Sequence, residues 1–138
     1  MRIVGMALAG LLLAGCTTGG AGNMPVRTLE TSIRGQQGSD VRAAAIVNTV
    51  PNGTAVAITV KDAQPGAMLP WQLNEGACGA GTVIGSADVY PALQVGPDGT
   101  GTARATLAVG LDPSRTYHVN IRKSAQESNV VIGCGVLH

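Results

Sequence analysis

The stretch RAAAIVNTVPNGTAVAITVK (residues 42–61) decides the fold of this chain. Its second half alternates in polarity, so that Val56, Ile58 and Val60 share one face of an extended strand. The two halves are separated by Pro51-Asn52-Gly53, and Asn-Gly is a strong signal for a tight hairpin turn. The stretch therefore predicts two antiparallel strands joined by a short loop.

The remainder of the chain repeats this pattern of short apolar segments and turns. Residues 102–109, 117–122 and 130–136 are predicted as further strands, and Trp71 is expected to pack in the core. Turn sequences at 96–101 and 112–114 separate them. Short strands without a convincing helix after the first fifteen residues predict an all-β fold, an antiparallel sandwich or barrel.

The N-terminus has the layout of a bacterial lipoprotein signal. A basic start, Met1-Arg2, is followed by the apolar segment 3–14 and by Gly15-Cys16. The apolar segment is too short to cross a bilayer, because a spanning helix needs about 20 residues. We therefore expect a signal peptide at residues 1–15, a lipidated N-terminus and flexible tether at 16–40, and one domain at 41–138.

Lipidation of Cys16 would determine where the protein resides. Acyl chains such as palmitate on Cys16 would anchor the protein to a lipid bilayer without spanning it. The expected location is the bacterial cell envelope. Because Thr17 rather than Asp follows the cysteine, the outer membrane facing the periplasm is expected if the cell is Gram-negative. A protein of the envelope is a candidate partner.

The two remaining cysteines, Cys78 and Cys134, form an even pair in a chain expected to reach an oxidising compartment. Such a pair is best interpreted as a disulfide. Their spacing lacks the paired pattern of a zinc ribbon. A catalytic thiol would need an activating partner such as a histidine, and the chain has only His118 and His138.

Composition limits the classes of function. The formal net charge is +1 and charged residues make up 12% of the chain, so no basic footprint for nucleic acid is present. The chain has no Phe, one Trp and two Tyr, so its core must be built from Val, Ile, Leu and Ala. The fold therefore has little apolar area per side chain, which makes a covalent cross-link more valuable.

Two segments resemble the copper/zinc superoxide dismutases. The run PWQLNEGACG (residues 70–79) resembles that family's copper-binding strand, in which an aromatic-His-x-His-Glu pattern precedes the first disulfide cysteine. The run VIGCGV (residues 131–136) resembles the C-terminal strand that supplies the second cysteine. The resemblance covers roughly residues 41–137. It implies a Greek-key β-sandwich or barrel stapled by Cys78 and Cys134.

The histidine ligands of that family are not present at the matching positions of this chain. Its enzymes hold copper with four histidines, whereas this chain has two histidines in total. Gln72 and Asn74 stand at the positions of the His-x-His pair, and the last copper histidine falls at or near Arg122. Amide and guanidinium groups are poor substitutes for imidazole as copper ligands. The resemblance with these departures predicts no bound metal and no cofactor.

The polar residues of the two predicted strands form the candidate site. It has six members: Gln72, Asn74, Glu75, His118, Asn120 and Arg122. One interpretation is a polar patch on the outer face of the sheet, hydrogen-bonded within itself, with His118 in solvent. A more specific interpretation is that these residues form a recognition surface.

Three functions compete. The leading hypothesis is a non-enzymatic, lipid-anchored envelope domain with a dismutase-like sandwich, acting as a structural or binding module. The second is an atypical metal-dependent antioxidant that uses His118 with a carboxylate, Asp88 or Glu75. The third is a ligand-binding or carbohydrate-binding sandwich, which requires an exposed aromatic platform.

Overall fold

The computed structural model describes residues 27–138, and these form ten β-strands and one turn of 3-10 helix. In chain order the strands are β1 (Thr28–Gly35), β2 (Arg42–Val50), β3 (Gly53–Lys61), β4 (Met68–Leu69), β5 (Trp71–Glu75), β6 (Thr82–Val83), β7 (Leu93–Gln94), β8 (Gly101–Leu107), β9 (Tyr117–Arg122) and β10 (Val131–Val136). The 3-10 turn spans Ala87–Val89. The prediction of an all-β fold is confirmed.

Eight strands form one sheet in the order β6-β5-β9-β10-β1-β2-β3-β8, and β4 and β7 form a separate pair. All of these pairings are antiparallel. The large sheet curls into a half-barrel, which is consistent with a β-sandwich or barrel. The three strands predicted in the second half of the chain correspond to β8, β9 and β10.

The β2–β3 hairpin forms as predicted. Val50 pairs with Gly53, so the loop consists of two residues. Asn52 has a φ of 63°, a left-handed conformation that asparagine tolerates in tight hairpin turns. A Cβ on Gly53 would lie 2.0 Å from the carbonyl oxygen of Leu107, so only glycine lets the hairpin approach the end of β8.

Aliphatic side chains and the single tryptophan fill the apolar face of the sheet. Trp71 is 1% exposed, and its ring meets that of Tyr90 edge-on at a centroid distance of 5.1 Å. The Trp71 Nε1–H donates a hydrogen bond of 2.8 Å to the carbonyl oxygen of Pro91, which satisfies the polar end of the indole. The expected core position of Trp71 is confirmed. Other core members are Ile33, Val47, Val56, Ile58, Val60, Leu73, Leu93, Val119 and Ile121.

Strand β1 corrects the expected start of the domain. The sequence placed residues 16–40 in a tether, whereas Thr28–Gly35 lies inside the sheet between β10 and β2. Thr31 and Ile33 point into the core and are 6% and 1% exposed. Backbone hydrogen bonds between Glu30 and His138 hold the C-terminal residue against the same strand. The sheet therefore begins well before residue 41.

Cys78 and Cys134 are joined in a disulfide with a Cα–Cα distance of 6.1 Å. Cys134 lies in β10, whereas Cys78 lies in the loop between β5 and β6. The bond therefore fixes a loop from one edge of the sheet to a strand nearer its centre.

The predicted signal peptide, the lipidation site Cys16 and the first part of the tether lie outside the described residues. Among residues 27–138, no helix has the length and apolarity needed to span a membrane.

Candidate functional site

Strands β5 and β9 place most of the predicted patch on one face of the sheet. Their register sets Gln72 opposite Asn120 and Asn74 opposite His118. Residues directly opposite each other in an antiparallel pair point to the same side, and residues two apart along a strand do as well. Arg122 therefore joins these four residues. The intervening residues Trp71, Leu73, Val119 and Ile121 point to the core.

His118 is buried, contrary to the expectation that it faces solvent. It is 2% exposed, and its Nδ1 lies 2.7 Å from the carbonyl oxygen of Gly76. Because a carbonyl oxygen can only accept, Nδ1 carries the proton in this contact. The ring of His118 is buried because the loop after β5, which is distant in sequence, folds over it.

That loop, residues 76–81, is held over the polar face by the disulfide. Cys134 pairs directly with Asn120 across β10 and β9, so the two side chains share a face. The loop depends on glycine at Gly81, which has a φ of 88° and where a Cβ would lie 1.6 Å from the carbonyl oxygen of Glu75. The polar residues are therefore covered by a cross-linked wall rather than left as a flat outer surface.

Arg122 is a half-buried cation held by neutral partners. Its Nη1 donates to the backbone carbonyl of Ser128, and its Nη2 donates to Oε1 of Gln72 at 3.1 Å. Its Nε is buried and makes no hydrogen bond with the described residues. The ion pairs found in residues 27–138 involve other cations, so no described carboxylate neutralises Arg122.

Asn120 carries a second unsatisfied atom. Its side chain is 7% exposed, and its Oδ1 has no hydrogen-bond partner among the described residues. Its neighbour Asn74 is 5% exposed and donates from Nδ2 to the backbone carbonyl of Gln72 at 3.2 Å. Buried polar atoms in proteins are nearly always paired, so an orphaned acceptor at this position requires an explanation.

These residues line a concavity with a volume of about 510 Å³. Its lining consists of Gln36, Gln37, Asn74, Gly79, Ala80, Gly81, His118, Asn120, Arg122, Asn129, Val131 and Cys134. Within the described part of the chain, no Asp or Glu side chain lines it.

Glu75 does not join the other members of the predicted patch. It pairs with Tyr117 in the β5–β9 ladder and therefore points away from Asn74 and His118. Its Oε1 accepts a hydrogen bond from Nη1 of Arg115, and this contact raises the pKa of the arginine. Glu75 thus belongs to an exposed ion pair at the end of the sheet.

The residues proposed for a metal-dependent antioxidant are not brought together. Glu75 contacts Arg115, and Asp88 accepts a hydrogen bond from Ser86, which lowers the pKa of the Asp88 carboxyl. Neither carboxylate lines the concavity that contains His118. In residues 27–138 no group of three or more His, Cys, Asp or Glu side chains is arranged to hold a metal ion.

The aromatic platform required by the third hypothesis is also missing. Trp71, Tyr90 and Tyr117 are the chain's only tryptophan and tyrosine residues, and each is at most 7% exposed. The Tyr90 hydroxyl donates to the carbonyl oxygen of Ile84 at 2.6 Å, and burial raises the pKa of Tyr90 to about 12. These rings serve the core and offer no flat surface to a sugar.

Sequence reasoning missed part of the wall of the concavity. Gln36 and Gln37 come from the turn after β1, and Asn129 precedes β10. The φ of 52° at Gln37 marks that turn as tight. A turn signal at Gln36-Gln37-Gly38 was available in the sequence, but its approach to β9 depends on the position of β1 in the sheet.

Comparisons of this chain with models of known families, with curated proteins and with solved structures return no match.

Proposed function

We propose that this chain is a lipid-anchored protein of the bacterial envelope whose dismutase-like sandwich has lost its metal ligands and serves as a binding module. Acylated Cys16 holds it at the bilayer. Binding takes place in the polar concavity between β5, β9 and the loop 76–81.

The observation that carries the proposal is the half-buried cation Arg122, which lines that concavity and is held only by the neutral oxygens of Ser128 and Gln72. Taking a charge out of water costs free energy unless an opposite charge or hydrogen bonds compensate for it. An anionic ligand in the concavity would supply the missing counter-charge. The arrangement therefore favours recognition over scaffolding.

The chemistry of the same residues supports binding over metal catalysis. Copper redox centres require several imidazoles at fixed geometry. Here the other polar side chains on the face of His118 include three amides, those of Gln72, Asn74 and Asn120. The guanidinium of Arg122 on the same face would repel a cation. An oxygen of an amide binds copper weakly, and a protonated guanidinium does not bind it at all.

The dismutase-like, Greek-key part of the proposal is supported by connectivity. Cys78 follows the strand of Gln72 and Asn74, and it bonds to Cys134 of the last strand, as the family resemblance implies. The sheet neighbours β5–β9 and β3–β8 are far apart in sequence. Such crossovers are typical of Greek-key sandwiches.

Metal analysis tests the choice between module and enzyme. The mature lipoprotein would be purified from cells grown with added copper and zinc, and its metal content and superoxide-consuming activity measured. We expect far less than one equivalent of copper and no activity above that of the buffer. A copper content near one equivalent would overturn the proposal.

Chemical-shift mapping tests binding itself. The ¹⁵N-labelled mature lipoprotein in detergent micelles would be titrated with a panel of small anionic, cationic and neutral compounds. We expect some members to shift the backbone amides around Asn74, His118, Asn120 and Arg122. The exposed Arg104 of β8 supplies a control, because Arg104→Gln should leave the response unchanged. A panel that shifts none of these amides would contradict a binding role.

A further inference from the structure

A row of cations crosses three neighbouring strands beside the concavity. The register pairs Arg34 of β1 directly with Arg42 of β2, and Arg42 directly with Lys61 of β3. Directly opposed residues point to the same side of a sheet, and all three of these residues are exposed. Like charges in directly opposed positions destabilise a sheet, so this arrangement has a cost. These three residues form the cationic row.

Carboxylates offset the cationic row only weakly. Asp62 lies 4.0 Å from Nε of Arg42, but the side chains of Arg42 and Asp62 are 80% and 63% exposed, so solvent screens this pair. Within residues 27–138, neither Arg34 nor Lys61 forms an ion pair. Asp40, in the turn before β2, lines a shallow groove with Arg34 and Arg42 but pairs with neither. The row therefore presents unpaired positive charge to solvent.

The cationic row begins at the wall of the concavity. Arg34 pairs directly with Cys134, which lines the concavity, and Gln36, two residues beyond Arg34, lines it as well. Neighbouring strands are about 4.8 Å apart, so the four strand intervals from β9 to β3 cover roughly 19 Å along the sheet. Arg122 and the three cations of the row therefore lie along one continuous path on the same face.

From this continuity we infer that the concavity and the cationic row together bind an extended acidic peptide segment of a partner protein. One carboxylate of the segment meets Arg122, and the carboxylates that follow lie over the row. The amides of Gln36, Gln37 and Asn129 at the rim can both donate and accept, so they match the N–H and C=O groups of a peptide backbone. This inference rests on the proposed function, because it extends the same concavity to a longer ligand.

Other anionic partners match this surface less well. Polyphosphate offers only acceptors and would not use the acceptor oxygens of the rim amides. Single-stranded nucleic acid binds by stacking on aromatic rings as well as by charge, and Trp71, Tyr90 and Tyr117 are buried. An acidic glycan would likewise find no exposed ring for its sugars. A lipid surface is planar on this scale, so it would meet the row but not Arg122 in its concavity.

The length dependence of binding tests the inference. Labelled peptides of alternating Glu and Ser would be added to the mature lipoprotein in neutral micelles, and binding would be followed by fluorescence anisotropy. An extended chain covers about 3.3 Å per residue, so roughly six residues reach from Arg122 to Lys61. We expect the affinity to rise at least about tenfold between the dipeptide and a peptide of about eight residues, since each added exposed ion pair contributes a few-fold. Beyond that length the affinity should level off, and peptides with Gln in place of Glu should not bind.

Variants separate the row from the concavity. Arg42→Gln and Lys61→Gln should each weaken the long peptide about two- to fivefold, as expected for an exposed ion pair, and leave the dipeptide unchanged. Arg122→Gln should weaken both peptides at least about tenfold, because its contact with the carboxylate is partly shielded from water. Arg104→Gln is the matched control. It removes an exposed cation that pairs with Ala57, about 13 Å from Lys61 along β3, and should change neither affinity.

The outcomes separate this inference from the proposed function. An affinity that does not depend on peptide length, or one that Arg42→Gln and Lys61→Gln leave unchanged, would overturn the inference while leaving a module for small anions in place. Failure of every peptide, or tighter binding of polyphosphate or oligothymidylate of matched charge, would overturn the inference as well. Failure of the wider compound panel at the amides of the concavity would remove the binding module itself.

Discussion

His118 donates a hydrogen bond from Nδ1 to the carbonyl oxygen of Gly76 across 2.7 Å, and this contact ties strand β9 to the loop that covers it. The disulfide between Cys78 and Cys134 ties the same loop to β10. One polar and one covalent contact therefore keep the wall of the concavity in place. Several measurable consequences depend on this wall.

Removal of the disulfide should destabilise the fold substantially. In the double variant Cys78→Ala, Cys134→Ala, we expect the free energy of unfolding to fall by about 4 kcal/mol, because the closed loop has a sequence separation of 56. Urea unfolding followed by circular dichroism measures this change. A reducing agent should lower the free energy of unfolding of the wild-type protein to that of the variant. It should not change the free energy of unfolding of the variant. Equal stability of all three samples would contradict the expectation.

Two glycines of the covering loop provide a matched pair. Gly79 and Gly81 have φ values of 85° and 88°, but only a Cβ on Gly81 would meet backbone, at 1.6 Å from the oxygen of Glu75. Gly79→Ala should therefore cost about 1 kcal/mol, the usual penalty for a left-handed alanine. Gly81→Ala should cost clearly more, because the loop must move. Similar unfolding free energies for the two variants would show that the loop is not packed as described.

The place of β1 in the sheet can be tested with two isoleucines. Ile33 in β1 is 1% exposed, whereas Ile46 in β2 is 42% exposed. Ile33→Ala should lower the free energy of unfolding by about 2–5 kcal/mol, as expected for a core isoleucine. Ile46→Ala, the control, should change it by less than about 1 kcal/mol. If the two substitutions have equal effects, β1 does not contribute to the core.

Tyr90 should make stability depend on pH in the alkaline range. Burial raises its pKa from 10.0 to about 12 in the folded protein. The pKa of Tyr90 is higher in the folded protein than in the unfolded one, so the protonated hydroxyl stabilises the fold fully below pH 10. This stabilisation is lost as the pH rises towards 12. Urea midpoints measured from pH 9 to pH 12 should fall more steeply for the wild type than for Tyr90→Phe.

The tyrosine test has an internal control. Tyr117→Phe leaves Tyr90 as the only phenol of the chain, so its ultraviolet titration reports one group. We expect a midpoint near 12 for that variant in the folded state. Parallel pH profiles for the wild type and Tyr90→Phe would show that the ring of Tyr90 is not buried.

The sequence was sufficient for the elements whose pattern is local. The hairpin of β2 and β3 follows from Asn52-Gly53 and strict alternation, and it forms with the expected register. Alternation alone places Gln72 and Asn74 on one face of their strand, and His118 and Asn120 on one face of theirs. That the two strands are neighbours is known only from the structure. The separation of Glu75 from Asn74 follows from alternation alone and could have been predicted.

Other features depend on contacts between distant segments. Strand β1 was missed because only Leu29, Thr31 and Ile33 point inward, and its outer positions are polar like those of a linker. The burial of His118 depends on a loop 40 or so residues earlier, which no local pattern reveals. The unpaired atoms of Asn120 and Arg122 likewise emerge only when the walls of the concavity are in place.

The central position of β1 has a mechanical consequence. If the chain is held at an acylated Cys16, about a dozen residues separate that anchor from Thr28, a contour length of roughly 40 Å. The domain must then stay close to the lipid headgroups. A pulling force on the tether would act on β1, which lies inside the sheet between β2 and β10. The hydrogen bonds to both neighbours would then be loaded together in shear, whereas a force on an edge strand could break its bonds one at a time.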